Sequence, residues 1–138
     1  MSVGGEHPGR FLDSSDRTER AELSALGPAK EFVGLETFPN PGVGRVKMVT
    51  DEVTAKCPVT EQPDWYTVVI EYVPDEKCLE SKSVKLYLQA LRDQGAFVEA
   101  LSVLVRDDVM GALELEEDKV QVTFVQKPRG GIEITAVA

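Results

Sequence analysis

The chain has 138 residues, 42% of them hydrophobic and 28% charged, which is one domain's worth with enough apolar content for a packed core. Lys and Arg number 15 against 24 Asp and Glu, a formal charge of −9 with no basic stripe, so nucleic acid is excluded as the expected main partner. No run of about 18 apolar residues predicts a membrane helix, and the N-terminus lacks a basic-then-apolar leader, so a cytoplasmic location is expected.

Residues 1–30 hold Gly4, Gly5, Pro8 and Gly9 among serines and mixed charges. They read as a mobile arm, with room for a short helix over Arg17–Leu26 before the Gly27-Pro28 break, ahead of a domain over 31–138. Phe38-Pro39-Asn40-Pro41-Gly42 is rich in turn residues. Arg45–Thr50 alternates polar and apolar residues and predicts a strand running to about Ala55. Pro58–Pro63 is a loop. The aromatic and β-branched run Trp65–Val73 predicts a second strand, closed by Pro74-Asp75-Glu76-Lys77. Ser81 and Ser83 offer N-caps to a helix carrying Val84, Leu88 and Leu91, which runs to about Gln94 and ends near Gly95. Phe97, Leu101, Leu104, Val105 and Val109 predict a second helix to about Leu113. Lys119–Gln126 and Ile132–Val137 alternate again, joined by a hairpin turn at Pro128-Arg129-Gly130-Gly131. The order is β-β-α-α-β-β, an α+β fold with a four-stranded antiparallel sheet and both helices on one face. So thin a layer leaves one sheet face and two edges bare, which predicts a homo-oligomer.

Two cysteines, Cys57 and Cys78, and one histidine, His7, limit the chemistry. A structural zinc site needs about four such ligands, so no metal is expected. A Ser-His-Asp or Cys-His triad has no histidine in the domain to draw on. Unlinked cysteines suit a reducing compartment. Cys57 ends a strand in Lys56-Cys57-Pro58, and the adjacent cation favours its thiolate. Asp64 lies seven residues on, and a strand–loop–strand turn brings it back as a general base or proton donor. The plainer readings are a small buried hydrophobe for Cys57 and a turn cap for Asp64. Lys82 and Lys85 share a helix face at i, i+3. With the hydroxyls and free N–H groups of the helix start they form an anion site, or else a solvated first turn. Glu99 opens the second helix. Buried there, it can take two N–H bonds from a guanine-like edge; exposed, it simply suits the helix dipole. Asp107-Asp108 and Glu114–Asp118 read as solvated surface.

Cys57-Pro-Val-Thr-Glu-Gln-Pro-Asp64, Tyr72-Val-Pro-Asp-Glu-Lys77 and Glu80-Ser-Lys-Ser-Val-Lys-Leu-Tyr87 together resemble the short, unimodular QueF family. These are NADPH-dependent 7-cyano-7-deazaguanine reductases of queuosine biosynthesis. Glu36-Thr-Phe-Pro-Asn40 and Pro128-Arg-Gly-Gly-Ile132 fit as well, so the likeness spans roughly residues 34–136. The resemblance implies a tunnelling fold (T-fold), in which several subunits close their sheets into a barrel, as pentamers or stacked decamers with sites between subunits. It implies Cys57 as the nucleophile that adds to the nitrile and forms a covalent thioimidate, with Asp64 donating a proton to the nitrogen. It further implies substrate binding by Leu79, Glu80, Ser81, Val98 and Glu99, and NADPH binding by Lys82, Ser83 and Lys85. Two hydride transfers then yield the aminomethyl product.

The chain departs from the family pattern at three places. Val98 stands where the family has His, Glu61 where it usually has Gly, and Trp65 where it usually has Phe. Valine can neither bind nor donate a proton. Besides the reductase, two further readings therefore stay open. One is a relative that forms the thioimidate and adds ammonia or water, giving an amidine or amide. The other is a non-enzymatic T-fold that only binds a purine-like ligand.

Overall fold

The computed structural model describes residues 34–138. The expected arm and its helix over Arg17–Leu26 lie outside the described residues. Six strands and two helices follow: β1 (Thr37–Pro39), β2 (Val46–Lys56), β3 (Pro63–Tyr72), β4 (Lys77–Leu79), α1 (Ser81–Gln89), α2 (Val98–Leu113), β5 (Val120–Arg129) and β6 (Ile132–Val137). Strands β2, β3, β5 and β6 form one antiparallel sheet in the order β2-β3-β5-β6. The helices cover one face of it, α2 against β5 and β6, α1 and the turn after it against β2.

Strand alternation decides what goes inside. On β3, Asp64, Tyr66, Val68, Ile70 and Tyr72 are buried, while the residues between them face the uncovered side. A bulge between Thr50 and Val53 shifts the register of β2 and leaves Asp51 and Glu52 exposed. Val53 and Ala55 then join Val68, Ile70, Val122 and Phe124 under Leu91, Leu101, Val105 and Val109. Each such side chain contributes roughly 1.5–3 kcal/mol by leaving water. The β5–β6 turn is made by Gly130 and Gly131, both at positive φ (62° and 81°), as a two-residue hairpin turn demands.

Four local features differ from expectation. A small two-stranded sheet pairs β1 with β4, Phe38 opposite Cys78; three-residue strands are too short to show a period. The N-cap of α1 is Glu80 rather than a serine: its carboxylate accepts from the N–H of Ser83 (2.7 Å) and of Lys82 (2.9 Å). Helix α1 ends at Gln89 and a 3-10 turn over Ala90–Asp93 completes the segment. Asp108 is not solvated surface. It is 1% exposed and accepts a 2.5 Å hydrogen bond from the Tyr87 hydroxyl, which ties α1 to α2 inside the core.

Candidate active site

Cys57 stands just past the end of β2, where the chain leaves the sheet. Its N–H donates to the Gln62 carbonyl and its own carbonyl accepts from Glu61 N–H, both at 2.8 Å, which closes the loop into a tight ring. Glu61 takes a left-handed conformation there, φ 63°. Lys56 N–H donates to the Gln94 carbonyl at 2.9 Å, anchoring this corner to the segment before α2. The loop returns into β3, which buries Asp64 opposite Ala55.

The thiol of Cys57 is lowered from its ordinary 9.0 to about 6. The largest cause is the Thr60 hydroxyl, followed by the Thr60 backbone, the Arg129 guanidinium and the Val59 backbone. Lys56, the cation adjacent in sequence, is not among the causes; it is exposed while Cys57 is buried, as successive strand positions alternate. Arg129 comes from the far end of β5 and bonds Asp64 at 2.7 Å (Nη1 to Oδ1). Its own pKa is raised, first by the bond to Cys57 and then by Asp64. Arg129 is thus bonded to Asp64 and also favours the thiolate form of Cys57. Such a group can attack an electrophilic carbon and exchange a proton beside it. Thr60 and Arg129 were not singled out by spacing. The turn that presents Thr60 and the strand pairing that delivers Arg129 exist only after folding.

Tyr66, two residues beyond Asp64 on the same strand face, is fully buried, and its hydroxyl is the one buried side-chain polar atom without a partner among the described residues. Leaving such a group unpaired costs about 1–3 kcal/mol.

The residues Leu79–Lys85 form a second group. Leu79 is buried and its N–H donates to the Tyr72 hydroxyl at 2.9 Å. Glu80 spends its carboxylate on the start of α1, and those two N–H bonds lower its pKa. The amides of Lys82 and Ser83 are thus taken, and the expectation of free helix N–H groups for an anion is corrected. The Ser83 hydroxyl accepts from Glu36 N–H (2.9 Å) and donates to the Glu80 carbonyl (2.8 Å). Ser81, Lys82 and Lys85 are exposed. Val98 is buried in the core at 1% exposure, and Glu99 is exposed on the first turn of α2 rather than buried. Among the described residues no hydrogen bond or ion pair joins this group or Glu99 to Cys57, Asp64 and Arg129. Two cavities lie elsewhere. One of about 570 Å³ opens at the other end of the sheet, by Arg45, Glu71 and Lys119. One of about 190 Å³ runs between α1 and β2, by Ser81, Lys85 and Met48. Neither cavity is lined by Cys57, Asp64 or Arg129. Among the described residues no helix is long and apolar enough to cross a membrane.

The described residues form an α+β layer, a four-stranded antiparallel sheet under two helices, with a thiol of lowered pKa at one end of the sheet. A solved structure, the archaeosine synthase QueF-Like in its apo form, superposes with a TM-score of 0.63 over 70% of this chain and 93% of that one, at 24% identity. The profile described as QueF-like protein matches residues 63–138. An "NADPH-dependent 7-cyano-7-deazaguanine reductase" of Alkalilimnicola ehrlichii is 47% identical over 80% of this chain and 84% of its own. One of the same name from Frankia casuarinae is 43% identical over 83% and 92%. The chain belongs to the QueF family.

Proposed function

We propose that the chain is an NADPH-dependent 7-cyano-7-deazaguanine reductase that converts the nitrile to an aminomethyl group through a thioimidate on Cys57, within queuosine biosynthesis. Relatives of that name at 47% and 43% identity support the activity. The observation that carries the mechanism is the Cys57 thiol at about 6, lowered in part by the same Arg129 that is bonded to Asp64.

A nitrile is a weak electrophile, so the nucleophile must be a thiolate at neutral pH, and the proton must arrive as charge develops on nitrogen. The Cys57 thiol gives its proton to Asp64, its sulfur adds to the nitrile carbon, and Asp64 passes that same proton to the nitrogen. Arg129 then holds the resulting carboxylate. NADPH, when bound, supplies the hydride for each of the two reductions of the C=N carbon. Lys82 and Lys85, exposed at the start of α1, fit its phosphates as point charges, because Glu80 already occupies the helix amides. Ser83 positions that segment through its bonds to Glu36 and Glu80. Leu79, Glu80, Ser81, Val98 and Glu99 make up the base-binding side. Since one chain leaves the two groups unlinked, the working unit is a homo-oligomeric ring, a pentamer or decamer, whose subunits bring them together across the open edges of β2 and β6. The free thiols of Cys57 and Cys78 suit a reducing, cytoplasmic location.

Val98, buried and without acid–base capacity, favours a second reading in which ammonia or water meets the thioimidate and an amidine or amide results. One experiment tests both. Intact mass is measured with 7-cyano-7-deazaguanine, first without NADPH and then with it. The adduct is expected in wild type and Cys78→Ala and absent from Cys57→Ala. Aminomethyl product with NADPH oxidation identifies the reductase. Amidine or amide identifies the other reading. An adduct that survives Cys57→Ala overturns the site.

A further inference from the structure

We propose that the Tyr66 hydroxyl is a substrate-contacting group of this site, donating a hydrogen bond to the nitrile nitrogen as Cys57 adds to the carbon. The proposal rests on the nitrile-reducing reading above and adds a residue to it.

Buried polar atoms in folded proteins are almost always paired, and an orphan marks a missing water or ligand. The Tyr66 hydroxyl is such an orphan among the described residues. Its place is specific. β3 puts it on the buried face with Asp64, one alternation further from the Cys57 loop. The Tyr66 backbone pairs with Val53 and Gln126 on the neighbouring strands, and its ring meets Phe124 edge-on, with centroids 5.5 Å apart at 70°. Burial pushes the phenol up to about 12, with Asp64, Cys57 and Glu99 adding to the rise and Arg129 opposing it. All four charged groups of the site thus act on this one hydroxyl, yet none is bonded to it. It stays protonated at neutral pH and is a fixed donor waiting for an acceptor.

An acceptor arises in the chemistry itself. The sulfur–carbon bond forms, C≡N becomes C=N, and the electron pair moves to nitrogen. The thiol's proton, relayed by Asp64, goes to that pair. Tyr66 keeps its own proton and only stabilises the developing charge. Arg129, 42% exposed, is the group that can turn aside to admit the ligand. A plain core tyrosine would need none of this, since Phe would fill the same space and leave no orphan.

The test is Tyr66→Phe, which keeps the ring and removes the hydroxyl. Three quantities are measured against wild type: the rate of adduct formation with 7-cyano-7-deazaguanine, the rate of Cys57 alkylation by iodoacetamide, and the melting temperature. The expected result is adduct formation slowed about 10- to 100-fold, the worth of a hydrogen bond to a charged group. Alkylation should be unchanged and the melting temperature equal or higher. Equal adduct rates in the two proteins overturn the role of Tyr66 and leave the nitrile reading standing. A lower melting temperature with an unchanged adduct rate makes the hydroxyl structural and also overturns it. A wild type that forms no adduct overturns the nitrile reading itself, and the role with it.

Discussion

Arg129 and Asp64 are bonded at 2.7 Å although 65 positions separate them in the chain. Asp64 sits near the start of β3 and Arg129 closes β5, and antiparallel pairing of these strands puts both at one end of the sheet. The Gly130-Gly131 turn follows at once. A cation thereby reaches a thiol that its own stretch of chain leaves without one.

The low Cys57 pKa has a direct consequence for reactivity. Alkylation by iodoacetamide should rise through about pH 6 and level off by neutrality. Thr60→Val should move the midpoint up toward 9, and Arg129→Gln should move it in the same direction by less, following the order of causes. The same group makes stability depend on pH. Its folded pKa lies below its unfolded one, so its contribution is full above pH 9, shrinks toward pH 6 and is lost below it. The difference in melting temperature between wild type and Cys57→Ala, measured from pH 5 to 9, should follow that course. A midpoint near 9 in wild type would remove the activated thiol.

Glu61 carries a cost that the family's usual glycine avoids. At φ 63° a residue with a Cβ is strained by about 1–2 kcal/mol, and glycine gives back roughly 0.5–1 in unfolded-chain entropy. Glu61→Gly should therefore stabilise the chain by up to about 1 kcal/mol in urea titration. Destabilisation would mean that the glutamate side chain holds the loop.

Tyr87 and Asp108 answer for the contact between the helices. Tyr87→Phe should cost about 0.5–1.5 kcal/mol, the net worth of the hydrogen bond it removes between the helices. Alkylation of Cys57 should be untouched, since the pair is not part of its surroundings. A loss below about 0.5 kcal/mol would show that other groups satisfy Asp108.

β2, β5 and β6 were legible because polar and apolar residues alternate along them, and β3 because it is a run of aromatic and β-branched residues. Cys57 and Asp64 were legible because a short loop with two prolines leaves them few places to go. Arg129 and Thr60 were not, since a strand register and a turn geometry deliver them. Asp108 was hidden within Arg106-Asp107-Asp108, where charge alone reads as surface. Only its helical position, under Tyr87, puts it inside. Glu80 reads as a binding residue in a motif, and the fold gives it a second task as the cap of α1.

Lys82 and Lys85 should act on cofactor binding alone. The double change to Ala should weaken NADPH binding, read by titration, and leave the rate of nitrile adduct formation near wild type. Both losing equally would place the start of α1 in the base pocket or make it structural.

Val98 is where the chain departs most from its family, and where the proposed chemistry is most exposed. The side chain is 1% exposed and has no proton to give. Forming the thioimidate asks for a thiolate and one proton, and Cys57 with Asp64 covers both. The steps after it ask for further protons on nitrogen, and the family's histidine is the group associated with that movement. Wild type should therefore form the adduct readily and turn over slowly. Acid–base groups typically contribute about 10²–10⁴-fold, so restoring one should be visible. Val98→His should raise NADPH oxidation per adduct formed without tightening nitrile binding. The gain should fall at high pH, where the imidazole is neutral and has no proton to give. Because position 98 is closely packed, a melting curve must accompany the rates. A folded variant with unchanged turnover would show that Asp64 suffices. Adduct without NADPH oxidation in either protein would instead send the thioimidate to ammonia or water, and the product mass would say which.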